Sequence, residues 1–232
     1  VFEPWMSLQD QSLLGVEAKL RWRHPVHGEL EGSEVWPHLD QAGVVRDVMN
    51  FVLEQAMRSA SRWGLGEARL VLPVFDKVAL EEQFPDVLRQ LAMRLGVPLG
   101  RVELAIPEES LLNRAEALAE RLEKLRAIGL RLAVDGFGAR TGLDNLARLP
   151  LDTVRLNPSL TADIQGFERR QALIRAVVEL ARSLAMEVFV SGVETVQEED
   201  ILSELGCTGM SGHIVSPALP SDAFAVWLSH VS

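Results

Sequence analysis

Hydrophobic residues along the chain follow two patterns: short continuous runs, and longer stretches in which they recur every three or four positions. The short runs are typical of buried strands, and the longer stretches are typical of helices that pack one face against a sheet. Strands are predicted over residues 1–6, 16–22, 70–72, 102–106, 130–134, 153–156, 187–190 and 208–210. Helices are predicted over residues 33–39, 44–60, 84–95, 115–125, 143–147, 173–184 and 196–205.

The order of these elements indicates the fold. Turn-forming residues at 9–12 join the first two strands, which are expected to form a hairpin. From residue 70 onward strands and helices alternate, which predicts βαβ units and largely parallel strands. About eight strands in a chain of this size favour a closed (β/α) barrel over an open sheet. Because no linker-like stretch divides the chain, a single domain over residues 1–232 is expected.

The charge balance and the cysteine count narrow the class of protein. The net charge is -10, which argues against nucleic acid as the main partner. Cys207 is the only cysteine, which excludes a disulfide framework and fits a reducing cytoplasm. No apolar run reaches the roughly 18 residues of a membrane span, and the chain begins at Val1 without a methionine. We therefore expect a cytoplasmic domain cut from a longer protein.

Charged side chains follow several predicted strands, at the rim where the loops of an α/β barrel form binding sites. Asp135, Arg155 and Glu194 are expected at this rim, and Glu17 and Arg21 are expected on one face of the second strand. An arginine beside carboxylates suits a phosphate-bearing ligand, because Arg grips phosphate with two parallel hydrogen bonds. Two alternatives need no ligand. One is a buried Glu–Arg pair whose charges only neutralise each other, and the other is an Asp135 that only caps the next helix.

Metal-ligand spacing is poor in this sequence. No His pair or Cys pair has the spacing of a metal site, and the acidic residues are scattered. The histidines share no helical face and are interpreted as surface or loop residues; they are His24, His27, His38, His213 and His230.

Four segments resemble motifs of the EAL domain family. Residues 17–25, Glu-Ala-Lys-Leu-Arg-Trp-Arg-His-Pro, are similar to the family's Glu-Ala-Leu-Leu-Arg-Trp-x-His-Pro. Residues 135–138, Asp-Gly-Phe-Gly, resemble its Asp-Asp-Phe-Gly, and residues 191–195, Ser-Gly-Val-Glu-Thr, resemble its Glu-Gly-Val-Glu-Thr. Gly206-Cys207 followed by Ser211-Gly212 resembles its Leu-Gly-Cys and Gln-Gly. The resemblance covers essentially the whole chain and implies a TIM-like barrel whose first strand is antiparallel.

The resemblance also implies a reaction, because active EAL members hydrolyse cyclic di-GMP with two divalent metals. This chain departs from their motifs at the positions expected to bind metal. Pro73, Ala105, Gly136, Ser191 and Ser211 stand where active members have Asn, Glu, Asp, Glu and Gln, and Arg155 replaces a Lys. Hard divalent cations need several oxygen ligands each. The sequence therefore predicts a degenerate member of the FimX-type or LapD-type kind, which is not an enzyme and has no metal site.

Two functions stay open for a degenerate EAL domain. The first is a receptor that binds cyclic di-GMP without metal or hydrolysis. Its expected ligand-binding residues are Glu17, Leu20, Arg21, Asp135, Arg155 and Glu194. Lys19 in place of the family's Leu, and Pro217-Ala218 in place of its Arg-Pro, count against this. The second function is a protein-interaction module that no longer binds the nucleotide.

The resemblance further implies partners. We expect the domain to lie at the C-terminal end of a multidomain signalling protein and to contact other domains of that protein or a signalling partner. EAL relatives dimerise through the segment after Asp-Asp-Phe-Gly, which suggests a homodimer. Here that segment is Ala139-Arg140-Thr141-Gly142-Leu143-Asp144, unlike the family's Thr-Gly-Tyr-Ser-Ser-Leu.

Overall fold

The computed structural model describes residues 1–79, 81–138 and 144–231. Eight strands form a closed barrel, in the order β1-β10-β9-β8-β7-β6-β5-β2, and β3 and β4 form a separate hairpin. The strands are β1 (Phe2–Ser7), β2 (Leu13–Ala18), β3 (Arg21–His24), β4 (Gly28–Glu31), β5 (Arg69–Pro73), β6 (Val102–Pro107), β7 (Arg131–Phe137), β8 (Thr153–Leu156), β9 (Glu187–Val190) and β10 (Gly209–Met210). The predicted TIM-like barrel is confirmed.

Strand β1 is antiparallel to both of its neighbours, as predicted. It pairs with β2 in the register Glu3 to Glu17, and with β10 in the register Met6 to Met210. All the other barrel pairings are parallel. The carboxyl ends of the seven parallel strands and the amino end of β1 therefore meet at one rim, which we call the mouth.

Helices cover the outside of the barrel. They are α1 (Gly32–Gln41), α2 (Val45–Trp63), α3 (Asp76–Ala79), α4 (Phe84–Leu95), α5 (Glu108–Ala127), α6 (Asp144–Arg148), α7 (Pro158–Thr161), α8 (Glu168–Ser183), α9 (Val196–Glu204) and α10 (Ser221–Val231). The helical spacing in the sequence matches the buried faces: α2 buries Met49, Leu53 and Met57 at intervals of four residues. Among the described residues, none of these helices has the length and apolarity needed to cross a membrane.

The predicted strand over residues 16–22 is wrong in one respect that matters for the site. Strand β2 ends at Ala18: its pairing with β5 stops at Glu17, opposite Val71, and past Ala18 the backbone of Lys19 exchanges hydrogen bonds with Val1. The chain then leaves the barrel, and Arg21 pairs with Glu31 in the β3–β4 hairpin. Glu17 and Arg21 therefore lie on different sheets and not on one face of a single strand.

The lower half of the barrel interior is closed by an ion-pair network. Arg69 donates to Glu103 and Glu187 over 3.0 and 2.6 Å, and Arg131 donates to Glu187 over 3.0 Å. The Thr153 hydroxyl donates to Glu103 over 2.9 Å. These side chains come from the amino ends of the parallel strands, so the network lies at the end of the barrel opposite the mouth.

Candidate functional site at the barrel mouth

Two predicted site residues lie side by side in adjacent strands. Asp135 of β7 and Arg155 of β8 are direct neighbours in the parallel register, next to a bulge between Asp135 and Phe137. Gly136 forms this bulge with φ +75°, a conformation that glycine adopts at little cost. Glu17 reaches the same interior from β2, on the opposite side of the barrel. The structure thus brings together Glu17, Asp135 and Arg155.

Arg155 is the centre of this cluster and is buried, with 5% of its surface exposed. Its Nη2 donates to Glu17 Oε2 over 2.5 Å, and its Nε lies 3.5 Å from Asp135 Oδ1. The guanidinium stacks over the Trp5 ring at 4.6 Å, and the Trp5 indole N–H donates to Glu17 Oε2 over 3.3 Å. Arg155 therefore makes a salt bridge to Asp135 and also forms a buried Glu–Arg pair, the kind of pair that the sequence left as an alternative to phosphate binding.

Glu17 and Arg155 stabilise each other's charged forms. Burial alone would raise the pKa of Glu17, but the Arg155 guanidinium and the Lys19 ammonium hold that pKa below its usual value. Burial likewise opposes the charged form of Arg155, but the Asp135 and Glu17 carboxylates raise the pKa of Arg155. Glu17 is thus an anion and Arg155 a cation at neutral pH.

One atom of Arg155 points away from these partners. Among the described residues, Nη1 is buried and has no hydrogen-bond partner. Below it lies a cavity of about 10 Å³, the size of one water molecule. The cavity is lined by Trp5, Leu14, Gly15, Arg69, Val71, Glu103, Arg155 and Phe189. Arg155 thus forms the floor of the mouth and does not project into solvent.

Lys19 is a site residue that the sequence analysis missed. It follows Glu17 by two positions, so its side chain returns to the same face of the chain. Its ammonium forms an ion pair with Glu3 Oε2, which also accepts a hydrogen bond of 3.2 Å from the buried Ser211 hydroxyl. Burial acts to lower the pKa of Lys19, but Glu17 and Glu3 raise it above the usual value. The sequence held one signal for this role: positions 17 and 19 alternate along a strand and therefore face the same side. The sequence analysis considered Lys19 only as a departure from the family motif.

An exposed pair lies at the outer rim. The His213 ring accepts or donates a hydrogen bond of 2.9 Å with Glu194 Oε1, and both side chains are more than half exposed. This hydrogen bond and the Glu194 charge raise the pKa of His213. The interpretation of His213 as a surface residue is confirmed, but its place beside Glu194 was not predicted.

Two predicted ligand-binding residues lie outside the cluster. Leu20 connects β2 to the hairpin, and the Arg21 guanidinium forms an ion pair with Glu31 of β4. Both line a surface groove of about 380 Å³ beside Phe51 and Gln55. The reason is the early end of β2 at Ala18, which turns residues 20 and 21 away from the barrel interior.

The comparison with family models settles the family. A model of the EAL domain matches residues 1–218. The chain belongs to the EAL domain family. Members with solved structures share the fold: the EAL domain of the PaMucR phosphodiesterase in complex with cyclic di-GMP superposes with a TM-score of 0.89, at 25% identity, over 96% of this chain and 92% of that chain. The FimX EAL domain of Xanthomonas citri, in complex with cyclic di-GMP, gives 0.83 at 21% identity over 94% and 87%.

A relative with a named activity contradicts one prediction. The cyclic di-GMP phosphodiesterase PA2567 of Pseudomonas aeruginosa is 30% identical over 98% of this chain and 39% of its own length. Together with the PaMucR phosphodiesterase, it shows that the prediction of a non-enzyme is wrong, because similar EAL domains are enzymes. That prediction extrapolated from single motif positions to the whole reaction. The chain spans 28 to 39% of the length of this and other curated relatives.

The residues present do not fit the two divalent metals that the resemblance implies. Within residues 1–79, 81–138 and 144–231, no group of three or more His, Cys, Asp or Glu side chains is placed to hold a metal ion. Pro73, Ala105 and Gly136 offer no side-chain oxygen, and the Arg155 guanidinium already bonds the Glu17 carboxylate. The dimerisation segment predicted at residues 139–144 lies outside the described residues, apart from Asp144 at the start of α6.

Proposed function

We propose that this EAL domain binds cyclic di-GMP at the barrel mouth, as part of bacterial second-messenger signalling, and that binding needs no metal ion. The observation that carries the proposal is the pair of neighbouring ion pairs Lys19–Glu3 and Arg155–Glu17, which bring two protein cations to the mouth. Family membership and the similarity to the PaMucR domain in its cyclic di-GMP complex support the choice of ligand.

The two cations have different roles in this proposal. Arg155 is buried and its Nη2 is held by Glu17, so it contributes a positive field from the floor. Lys19 is the more exposed of the two, with 32% of its side chain in contact with solvent, and lies where a phosphodiester entering the mouth would meet it. Arg21, in the groove next to the mouth, is a third cation within reach of an extended ligand. Glu194 and His213 border the entrance.

Calorimetric titration with cyclic di-GMP tests the proposal. One set of samples contains EDTA and the other contains Mg²⁺, and we expect the same Kd within about twofold in both. Linear product is measured in the same samples by chromatography, because PA2567 and PaMucR are named phosphodiesterases and turnover would distort the heats. Absence of binding at millimolar nucleotide in both buffers would reject the proposal and leave the protein-interaction module.

A variant pair locates the site. Lys19→Met should weaken binding by about one to two decades, because a hydrogen bond to a charged group contributes roughly 1.5 to 3 kcal/mol. Lys77→Met is the matched control: Lys77 also forms an ion pair with a carboxylate, Asp40, but its side chain is exposed on α3 and takes no part in the mouth ion pairs. Arg21→Ala should weaken cyclic di-GMP binding by the same factor, and this variant tests whether the groove beside the hairpin contributes to binding.

A further inference from the structure

The Arg155 guanidinium lies between two groups of carboxylates inside the barrel. Toward the mouth it contacts Glu17 and Asp135. On its other side is the cavity of about 10 Å³, which is also lined by Glu103 of the ion-pair network at the opposite end of the barrel. Burial opposes the charged form of this guanidinium, and Asp135, Glu17 and Glu103 raise its pKa. Glu103 therefore attracts the same cation that the mouth carboxylates hold.

One nitrogen of Arg155 is left over by the mouth carboxylates. Nη2 bonds Glu17 and Nε faces Asp135, whereas Nη1 is buried and has no hydrogen-bond partner among the described residues. A buried donor without a partner is costly. A turn of the guanidinium toward Glu103, across the cavity, would give this donor an acceptor.

The indole of Trp5 opposes such a turn. Arg155 is stacked on the indole, with 4.6 Å between Cζ and the ring centroid, and the indole N–H donates to Glu17 Oε2 over 3.3 Å. A cation over an indole face is attracted to it, most strongly where water is excluded. Trp5 is buried, with 2% of its surface exposed, and also lines the cavity. It thus holds Arg155 beside Glu17 and fills the space on the cavity side.

Trp5 is itself held in place by the layer of side chains behind it. Its ring packs against the Phe189 ring in a T-shaped arrangement, with 5.2 Å between centroids, and the Arg69 guanidinium lies over the Phe189 ring at 5.4 Å. Gly209 of β10 leaves room for this layer, because an added methyl carbon there would lie 2.6 Å from the Phe189 ring. These contacts hold the indole in one orientation.

We propose that Trp5 is a positioning residue that keeps the Arg155 guanidinium at the mouth and away from Glu103. The inference rests on the proposed binding of cyclic di-GMP, because it names the residue that sets a positive charge of that site. Without the indole the cavity would enlarge, and the guanidinium would turn to Glu103 through Nη1. The mouth would then lose part of its positive field.

Titration of Trp5 variants with cyclic di-GMP in EDTA tests the inference. Trp5→Leu removes both the ring and the N–H, and we expect it to weaken binding by about tenfold or more. Trp5→Phe keeps a ring against the guanidinium and should bind within about threefold of the wild type. Trp227→Leu is the matched control, because Trp227 packs against Phe224 within the outer helix α10 and should leave the affinity unchanged.

A double variant separates positioning from a general loss of stability. Adding Glu103→Gln to Trp5→Leu removes the competing carboxylate, so most of the lost affinity for cyclic di-GMP should return although the protein becomes less stable. Glu103→Gln alone should bind like the wild type. Thermal melts verify folding, and Trp5→Met, with a longer side chain that fills more space, replaces Trp5→Leu if the latter unfolds. Wild-type affinity in the folded single variant, or no recovery in the double variant, would overturn the inference.

Crystal structures without nucleotide give a result that does not depend on the proposed function. We expect the Arg155 guanidinium to bond Glu17 in the wild type and Glu103 in the Trp5 variant. If the wild type binds no cyclic di-GMP, the proposed function fails, and the position of Arg155 in these two structures still decides the inference. An Arg155 that bonds Glu17 unchanged in the variant would overturn it.

Discussion

Arg155 and Glu17 form a hydrogen bond of 2.5 Å although 138 residues separate them in the sequence. Strands β8 and β2 lie four strands apart in either direction around the barrel, so this bond spans the barrel interior. It fixes the position of the only guanidinium that the described residues place among the mouth carboxylates. The same bond explains why Arg155 is held back from solvent.

Replacing Arg155 should destabilise the fold. Arg155→Met leaves the Glu17 carboxylate buried without its cation, and breaking a buried pair in this way costs about 3 to 5 kcal/mol. The free energy of unfolding is measured by urea titration. Arg58→Met provides the comparison, because Arg58 pairs with Glu54 on the exposed face of α2 and such pairs contribute only about 0.3 to 0.5 kcal/mol. Equal losses for the two variants would contradict the buried pair.

Acid should remove the contribution of Glu17 to stability. The folded-state pKa of Glu17 lies below its ordinary value of 4.5, because Arg155 and Lys19 outweigh the effect of burial. Its stabilising contribution is therefore fully present above pH 4.5 and is lost as the pH falls through the lower folded-state pKa. The difference in unfolding free energy between the wild type and Glu17→Gln should be largest near neutral pH and should shrink below pH 4.5. A constant difference down to acid unfolding would speak against this.

Cys207 should be unreactive in the folded protein. The thiol is buried, and burial raises its pKa to about 12. The thiolate is the reactive form, so Ellman's reagent at pH 8 should label the native protein far more slowly than the protein in guanidinium. Labelling of native protein at the rate of a free thiol would show that the segment between α9 and β10 opens readily.

The barrel was predictable because most of its strands are continuous apolar runs, and stretches with helical spacing lie between these runs. The runs at 70–72, 102–106, 130–134, 153–156 and 187–190 all became strands, and the helix predicted over 84–95 has the same bounds in the structure. The hairpin of β3 and β4 was not predicted. Its residues are mostly polar and exposed, and they lack the hydrophobic alternation that marks a half-buried strand.

The site was predictable only in part, because ion pairs depend on the register between distant strands. Asp135 directly follows the predicted strand 130–134 and Arg155 lies near the end of the strand 153–156, so the sequence predicts both at a common rim. The pairing of Lys19 with Glu3 needs the antiparallel register of β1 and β2, which no local pattern reveals. Arg21 was misplaced for the complementary reason: the pairing of β2 with β5 ends at Glu17, and Arg21 pairs with Glu31 in the separate hairpin.

The antiparallel strand β1 has a consequence for how the chain folds. It joins β2 to β10, and Phe2 exchanges backbone hydrogen bonds with Leu219, so residues near the two ends of the chain close the barrel. Contacts between residues so far apart give the fold a high contact order, which slows folding. Until residues 209–219 join the barrel, one edge of β1 lacks its strand partner, and an unpaired strand edge can pair with another chain.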